Sequence, residues 1–246
     1  LDSGTPIKQD AFAPQPDAAQ GTPDGSVSLD QGTPPVPQAN GCVAAPASQS
    51  WVTGTATLTA ADATRPPKCQ AFVDPAFHTT LARISDRPAD AYPDLGIQNE
   101  YAKADPENAD GTLLVLRGDE ANWQLYDLAT FKRLRTLDIG VGNQEPEPRW
   151  DPVNPKVLYH LVNMKLMALN VEMNVSTLVH DFSAAFPGGA TISTGTEGDA
   201  SVDRRYWCFM VKTGADVETA IFSYDRTTNA IVGKKTNLPA EIDWLG

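Results

Sequence analysis

Apolar and polar positions fall into three similar long units in the second half of the chain. In the first, the polar run 105–111 (DPENADG) opens onto 112–116 (TLLVL), then 123–127 (WQLYD), then 133–138 (RLRTLD). The second opens with 150–156 (WDPVNPK) and continues through 157–161 (VLYHL), 165–170 (KLMALN) and 176–181 (STLVHD). The third opens with 200–205 (ASVDRR), followed by 206–210 (YWCFM), 220–225 (AIFSYD) and 230–235 (AIVGKK). Short apolar runs rich in aromatic and aliphatic residues, bounded by Asp, Asn, Pro and Gly, predict strands joined by turns. The second strand of each unit ends on Asp127, Asn170 or Asp225. A short polar side chain there bonds the backbone of the following turn, so these residues are expected to be structural.

The units start 45 and 49 residues apart, counted from Thr112 to Val157 and from Val157 to Tyr206. A period of about 40 to 50 residues with several short strands is the pattern of β-propeller blades. The expected fold class is therefore all-β, with three recognisable propeller blades. Three blades and a partial sheet do not make a ring of ordinary size, and residues 241–246 (EIDWLG) read like the opening of another blade. The expectation is the N-terminal part of a longer propeller, or closure by another chain; the rival is a four-bladed ring that uses residues 51–90.

Ahead of the repeats the pattern changes. Residues 1–41 are built from Pro, Gly, Ala, Gln, Asp and Thr, and Gly-Thr-Pro recurs at 4–6, 21–23 and 32–34. Such a segment buries too little apolar surface to offset its chain entropy alone, and reads as an extended arm or linker. If ordered, it is expected along its own domain or a neighbouring subunit. Residues 42–97 carry strand candidates at 51–59, 70–73 and 79–84 and read as a partial sheet, with the blades at 98–246. Cys42 and Cys69 flank a loop-rich stretch where a disulfide would restrain a segment with little core, contributing roughly 3 kcal/mol. This pair implies an exported protein, extracellular or periplasmic, and a chain that begins at Leu1 without methionine suggests a removed leader. Cys208, between Trp207 and Phe209, is expected to be a small buried hydrophobe.

Composition narrows the partners. The formal charge of −12 and pI near 4.6 oppose nucleic acid and anionic lipid, both of which demand a basic face. No apolar run approaches the roughly 18 residues of a spanning helix. The motifs of serine hydrolases, zinc proteases, nucleotide-binding loops and haem attachment are missing from the sequence. Gly140-Val-Gly142 lacks the third glycine of a dinucleotide loop. His78, His160 and His180 lack metal-ligand spacing, and His78 and His180 are expected at the surface. Asn174-Val-Ser176 fits a glycosylation acceptor in a turn.

On the matches at 105–111, 150–152 and 201–203, residues 98–246 resemble TolB-like and WD40-like propeller repeats. The wording of 99–111 (NEYAKADPENADG) also resembles secreted bacterial propellers related to oligogalacturonate and ulvan lyases. Such lyases use His, Tyr or Arg in a central funnel, some with a bound cation. Residues just before each opening turn then become the candidate ligand-binding set: Glu100, Glu145, Glu147, Arg149, Glu197 and Asp199, with Gly195-Thr-Glu-Gly198 as a loop presenting Glu197. Their carboxylates would suit Ca²⁺ or acid/base work, or form a solvated acidic rim. Tyr101 and His160 are the catalytic candidates.

The expected function is a non-catalytic binding or assembly module whose arm packs on a neighbouring subunit. The alternative is a polysaccharide (uronate) lyase-like or carbohydrate-binding propeller. No cofactor beyond possible Ca²⁺ is expected.

Overall fold

Nine short apolar runs become nine strands at or within a few residues of where the pattern puts them. The computed structural model describes residues 65–74, 77, 80–91, 96–101, 104–118, 122–139, 146–195, 198–236 and 238. The arm at 1–41, Cys42, the strand candidate at 51–59 and the opening at 241–246 lie outside them. A two-stranded sheet pairs β1 (Ala71–Val73) with β2 (Thr80–Ala82), followed by one turn of helix, α1 (Arg87–Asp90).

Three four-stranded sheets follow, each an antiparallel meander of chain neighbours. The first contains β3 (Ile97–Gln98), β4 (Leu113–Gly118), β5 (Trp123–Asp127) and β6 (Arg133–Thr136). The second contains β7 (Arg149–Trp150), β8 (Val157–Val162), β9 (Lys165–Asn170) and β10 (Val175–Asp181). The third contains β11 (Thr191–Ser193), β12 (Tyr206–Lys212), β13 (Glu218–Asp225) and β14 (Ala230–Thr236). The described residues are thus almost all-β, with four small antiparallel sheets. The pattern missed β3, β7 and β11, which open each meander, because two or three residues are too few to show alternation.

Period-two alternation gives each strand two faces, and these faces hold the sheets together. Val115, Trp123 and Leu125 of the first sheet meet Trp150, Leu158 and Leu169 of the second. The opposite face of the second sheet, with Tyr159, Leu161 and Leu166, meets Ile192, Trp207, Phe209, Val211 and Phe222 of the third. Aromatic rings dominate this second boundary: Tyr159 meets Trp207 edge-on at 5.7 Å, and Phe182 lies 4.8 Å from Phe222. Each fully buried side chain of this size contributes about 1.5–3 kcal/mol. The other flank of the first sheet (Leu114, Leu116, Tyr126, with Ile97) packs against Ile84. There Lys68 pairs with Asp90 and sits over the Tyr126 ring, whose hydroxyl donates to Asp90 Oδ2 at 3.3 Å.

Turns confirm the structural role of the strand-ending residues. Asp127 Oδ1 accepts from Thr130 N, Asn170 Oδ1 from Glu172 N and Met173 N, and Asp225 Oδ1 from Thr227 N. Cys208 overturns its expectation, being exposed and free. Trp207 and Phe209 both point into the core, so alternation sends the residue between them outward. Among the described residues, no helix is long and apolar enough to cross a membrane.

Candidate functional site

Four of the six residues marked before the opening turns, Glu100, Glu147, Arg149 and Asp199, come together beside the short first strands of the meanders. Arg149, on β7 of the second sheet, is only 4% exposed. Its Nη1 donates to Glu100 Oε2 of the first sheet and to Pro148 O at 2.9 Å. Toward the third sheet, its Nη2 donates to Gly198 O at 3.3 Å and its Nε lies 3.5 Å from Asp199 Oδ1. Asp199 also accepts from Arg204. A single guanidinium on the second sheet therefore touches the connections that follow the first strand of the first and of the third sheet, which a planar fork of five donors suits better than an ammonium would.

Glu147 makes the companion tie. Its carboxylate accepts from Ser193 Oγ at 2.6 Å, from Thr194 N at 2.8 Å and from Thr194 Oγ1, all at the end of β11. Glu147 is 2% exposed and holds φ at 45°, in the left-handed region that a side chain enters only against a steric penalty. These hydrogen bonds hold it there. Gly198 is required beside them, because a Cβ at that position would lie 2.2 Å from Thr194 O.

Glu100 is 9% exposed, so neither it nor Glu147 belongs to a solvated rim. Tyr101, next to Glu100, is 37% exposed. Glu145 and Glu197 lie outside the described residues. Among the described residues, no group of three or more His, Cys, Asp or Glu side chains is placed to hold a metal ion.

His160 sits elsewhere. It points from mid-β8 toward the first sheet, 2% exposed, with Nε2 at 2.8 Å from Ser176 Oγ. Burial lowers its pKa from 6.5 to about 4, with nearby Asp138 opposing the shift. At neutral pH it is an uncharged boundary residue. His180 is half-buried rather than at the open surface: its ring lies 4.4 Å from Phe182 and its Nδ1 2.6 Å from Asn229 Oδ1. His78 lies outside the described residues.

A second set of ties, which sequence reasoning did not find, crosses the same boundaries. Trp150 Nε1 donates to Pro106 O at 2.9 Å, Asn108 Nδ2 to Pro155 O at 3.0 Å and Arg204 Nε to Trp150 O at 3.0 Å. Asn174 Oδ1 accepts from Asp138 N at 2.9 Å and its Nδ2 donates to Thr136 O. The repeat offered one signal for these: Asn174 and Asn229 occupy equivalent hairpin turns, both at positive φ, and both reach back to the preceding sheet or its connection.

Chemically, the cluster built by Glu100, Glu147, Arg149 and Asp199 is a set of matched charges and hydrogen bonds between sheets. The class of protein defined here is a set of packed, blade-like antiparallel sheets tied together by a buried Arg149–Glu100 ion pair and its neighbouring hydrogen bonds. No protein-family model matches the chain, and no curated protein matches it. Among solved structures, it is similar to an oligogalacturonate lyase from Vibrio parahaemolyticus (15% identity, 66% of this chain and 45% of that one, TM-score 0.47). It is also similar to an oligogalacturonate lyase in complex with manganese (15% identity, 68% and 46%, TM-score 0.48). Hydrazine synthase from Kuenenia stuttgartiensis follows at 12% identity, 53% and 35%, with a TM-score of 0.33. The chain spans about half the length, or less, of these structures.

Proposed function

We propose that this chain is a non-catalytic binding or assembly module of an exported β-propeller protein, with residues 1–41 packing on a neighbouring subunit and the open end of the blade stack covered by another chain. One observation carries the reading. The described members of the ligand-binding set are engaged in joining sheets or their connections: Glu100 to Arg149, Arg149 to Asp199, and Glu147 to Ser193 and Thr194. A general base must reach a substrate proton, and the buried carboxylates of Glu100 and Glu147, already bonded within the protein, are poorly placed for this. The Cys42–Cys69 disulfide and an extracellular or periplasmic location belong to the same reading, since a Pro-rich segment of this kind gains most from a covalent clip.

The rival is a uronate lyase or carbohydrate-binding propeller. In its favour, Tyr101 keeps an exposed ring beside the Arg149 cluster. Deleting residues 1–41 separates the two. Loss of self-association with the fold intact is expected; an unchanged oligomeric state together with cleavage of uronate polymers would establish the rival.

A further inference from the structure

The two boundaries between sheets are finished differently. Where the second sheet meets the third, the polar atoms of the buried rings are satisfied: Tyr159 Oη donates to Asp151 Oδ2 at 2.9 Å, Tyr224 Oη to Asn229 Oδ1 at 2.9 Å and Trp207 Nε1 to Arg204 O at 3.0 Å. Where the first sheet meets the second, Trp123 Nε1 and His160 Nδ1 are buried with no hydrogen-bond partner. Such atoms are uncommon in folded proteins and weaken the contact that encloses them.

Register places His160 on that boundary. It shares its face of β8 with Leu158 and pairs with Met167, which shares its face of β9 with Leu169; Leu158 and Leu169 belong to the cluster with Val115, Trp123 and Leu125 of the first sheet. Its Nε2 is occupied by Ser176 Oγ. The charged groups around it are few. Asp138 follows β6, and Arg117 and Arg135 share by register the boundary face of the first sheet, with Arg135 donating to Glu172 O at 2.7 Å. On the second sheet, Lys165 pairs with Asp181 and Lys156 with Glu172.

A proton on His160 makes both ring nitrogens donors, and Ser176 Oγ serves only one of them. Asp138 and the Leu161 backbone favour the cation but do not offset burial, which lowers the pKa to about 4. His180 at the other boundary is half-buried, and its Nδ1 lies 2.6 Å from Asn229 Oδ1, an acceptor that a cation keeps.

We infer that the boundary between the first and second sheets is an acid-sensitive joint, in which protonation of His160 parts their apolar faces while the second and third sheets stay packed. The joint is independent of the assembly reading above and of the arm.

Opening returns the imidazole to solvent and to its ordinary 6.5, so the closed form is complete above that pH and loses ground as the pH falls toward 4. The ratio of open to closed chains should rise roughly fiftyfold between pH 7 and pH 4.5.

Thiol labelling of the full chain at those two pH values tests this. In a Cys208→Ser background, Val115→Cys reports the first boundary and Val211→Cys the second, both valines being buried. Labelling by dithiodipyridine is read at each position by peptide mass spectrometry, and the ratio of the two rates cancels the thiol's own dependence on pH. The rate at position 115 relative to position 211 is expected to rise about fiftyfold in acid. It should stay flat when His160→Gln or His160→Met is added, two variants of different chemistry that both lack a titratable ring. An unchanged ratio with His160 present overturns the inference, as does a rise that survives both variants. Equal acceleration at the two positions also overturns it, because the whole set of sheets would then be unfolding together.

Discussion

Arg149 and Glu100 form a buried ion pair across the boundary between the second and first sheets. Both were marked in the sequence as mouth residues for a ligand, yet the folded chain uses them to join its own parts. Buried pairs of this kind are costly to break because one charge is left behind without its partner.

Replacing only Arg149 should therefore act on stability. Arg149→Met is expected to destabilise the chain by about 3–5 kcal/mol, read as a lower urea midpoint. The double variant Arg149→Met/Glu100→Leu should lose less than the sum of the two single changes. Additive losses, or an unchanged midpoint in Arg149→Met, would contradict the clamp.

His160 makes stability depend on pH in a defined window. Its pKa is about 4 in the folded chain against an ordinary 6.5, through burial. Between those values the unfolded chain binds a proton that the folded chain does not, so stability is complete above about pH 6.5 and falls as the pH drops to about 4. The loss is on the order of 3 kcal/mol at most. His160→Gln should flatten urea midpoints between pH 7 and pH 4.5. Asp225 acts lower: Arg205 beside it holds its carboxyl well below the usual carboxylate range, so its share is lost only in stronger acid. A slope that survives His160→Gln would assign the window to other groups.

Asn174 should separate side-chain ties from backbone conformation. Asn174→Gly removes the hydrogen bonds to Asp138 and Thr136 while keeping φ near 57° accessible, and is expected to cost about 1 kcal/mol. Asn174→Ala loses the same bonds and adds the left-handed penalty, so roughly 2 kcal/mol is expected. Equal midpoints for the two variants would show that the turn conformation carries no penalty. The same amide explains why the Asn174-Val-Ser176 sequon is poorly suited to modification after folding, since its nitrogen already donates to Thr136 O.

The cap on the first sheet hangs on Asp90, which accepts from Lys68 and from the Tyr126 hydroxyl. Burial pushes the Tyr126 phenol up, reinforced by the Asp90 charge, so it stays a donor through the alkaline range. Tyr126→Phe should cost about 1 kcal/mol, whereas Asp90→Ala should expose residues 66–98 to limited proteolysis while the three sheets stay protected. Uniform digestion of the whole chain by Asp90→Ala would show that the cap and sheets unfold as one.

Much of the fold was legible because the information was local. Period-two alternation in runs such as 157–161 and 220–225 fixes a strand and its two faces. The Asp or Asn at each strand end fixes the turn that follows. The spacing of 45 and 49 residues fixes that the unit repeats. The same logic places Cys208 outward once Trp207 and Phe209 are known to point inward, and only the short apolar run made it look buried.

The candidate site was half legible. Its members were named from their position before each opening turn, and Glu100, Glu147, Arg149 and Asp199 do gather. Their partners were not readable, because Glu100 and Arg149 lie 49 residues apart and Glu147 and Ser193 lie 46 apart, with no periodic signal tying one to the other.

By itself, then, the sequence determined strands, turns and the repeat, since each depends on neighbours along the chain. Only the tertiary structure decided that a set of carboxylates and one arginine would be clamps between sheets, and that Ile84, Lys68 and Asp90 would lie against one flank of the first sheet. Pairing across a sheet boundary depends on distances between segments far apart in the chain, and burial then decides whether a charge meets solvent or another side chain.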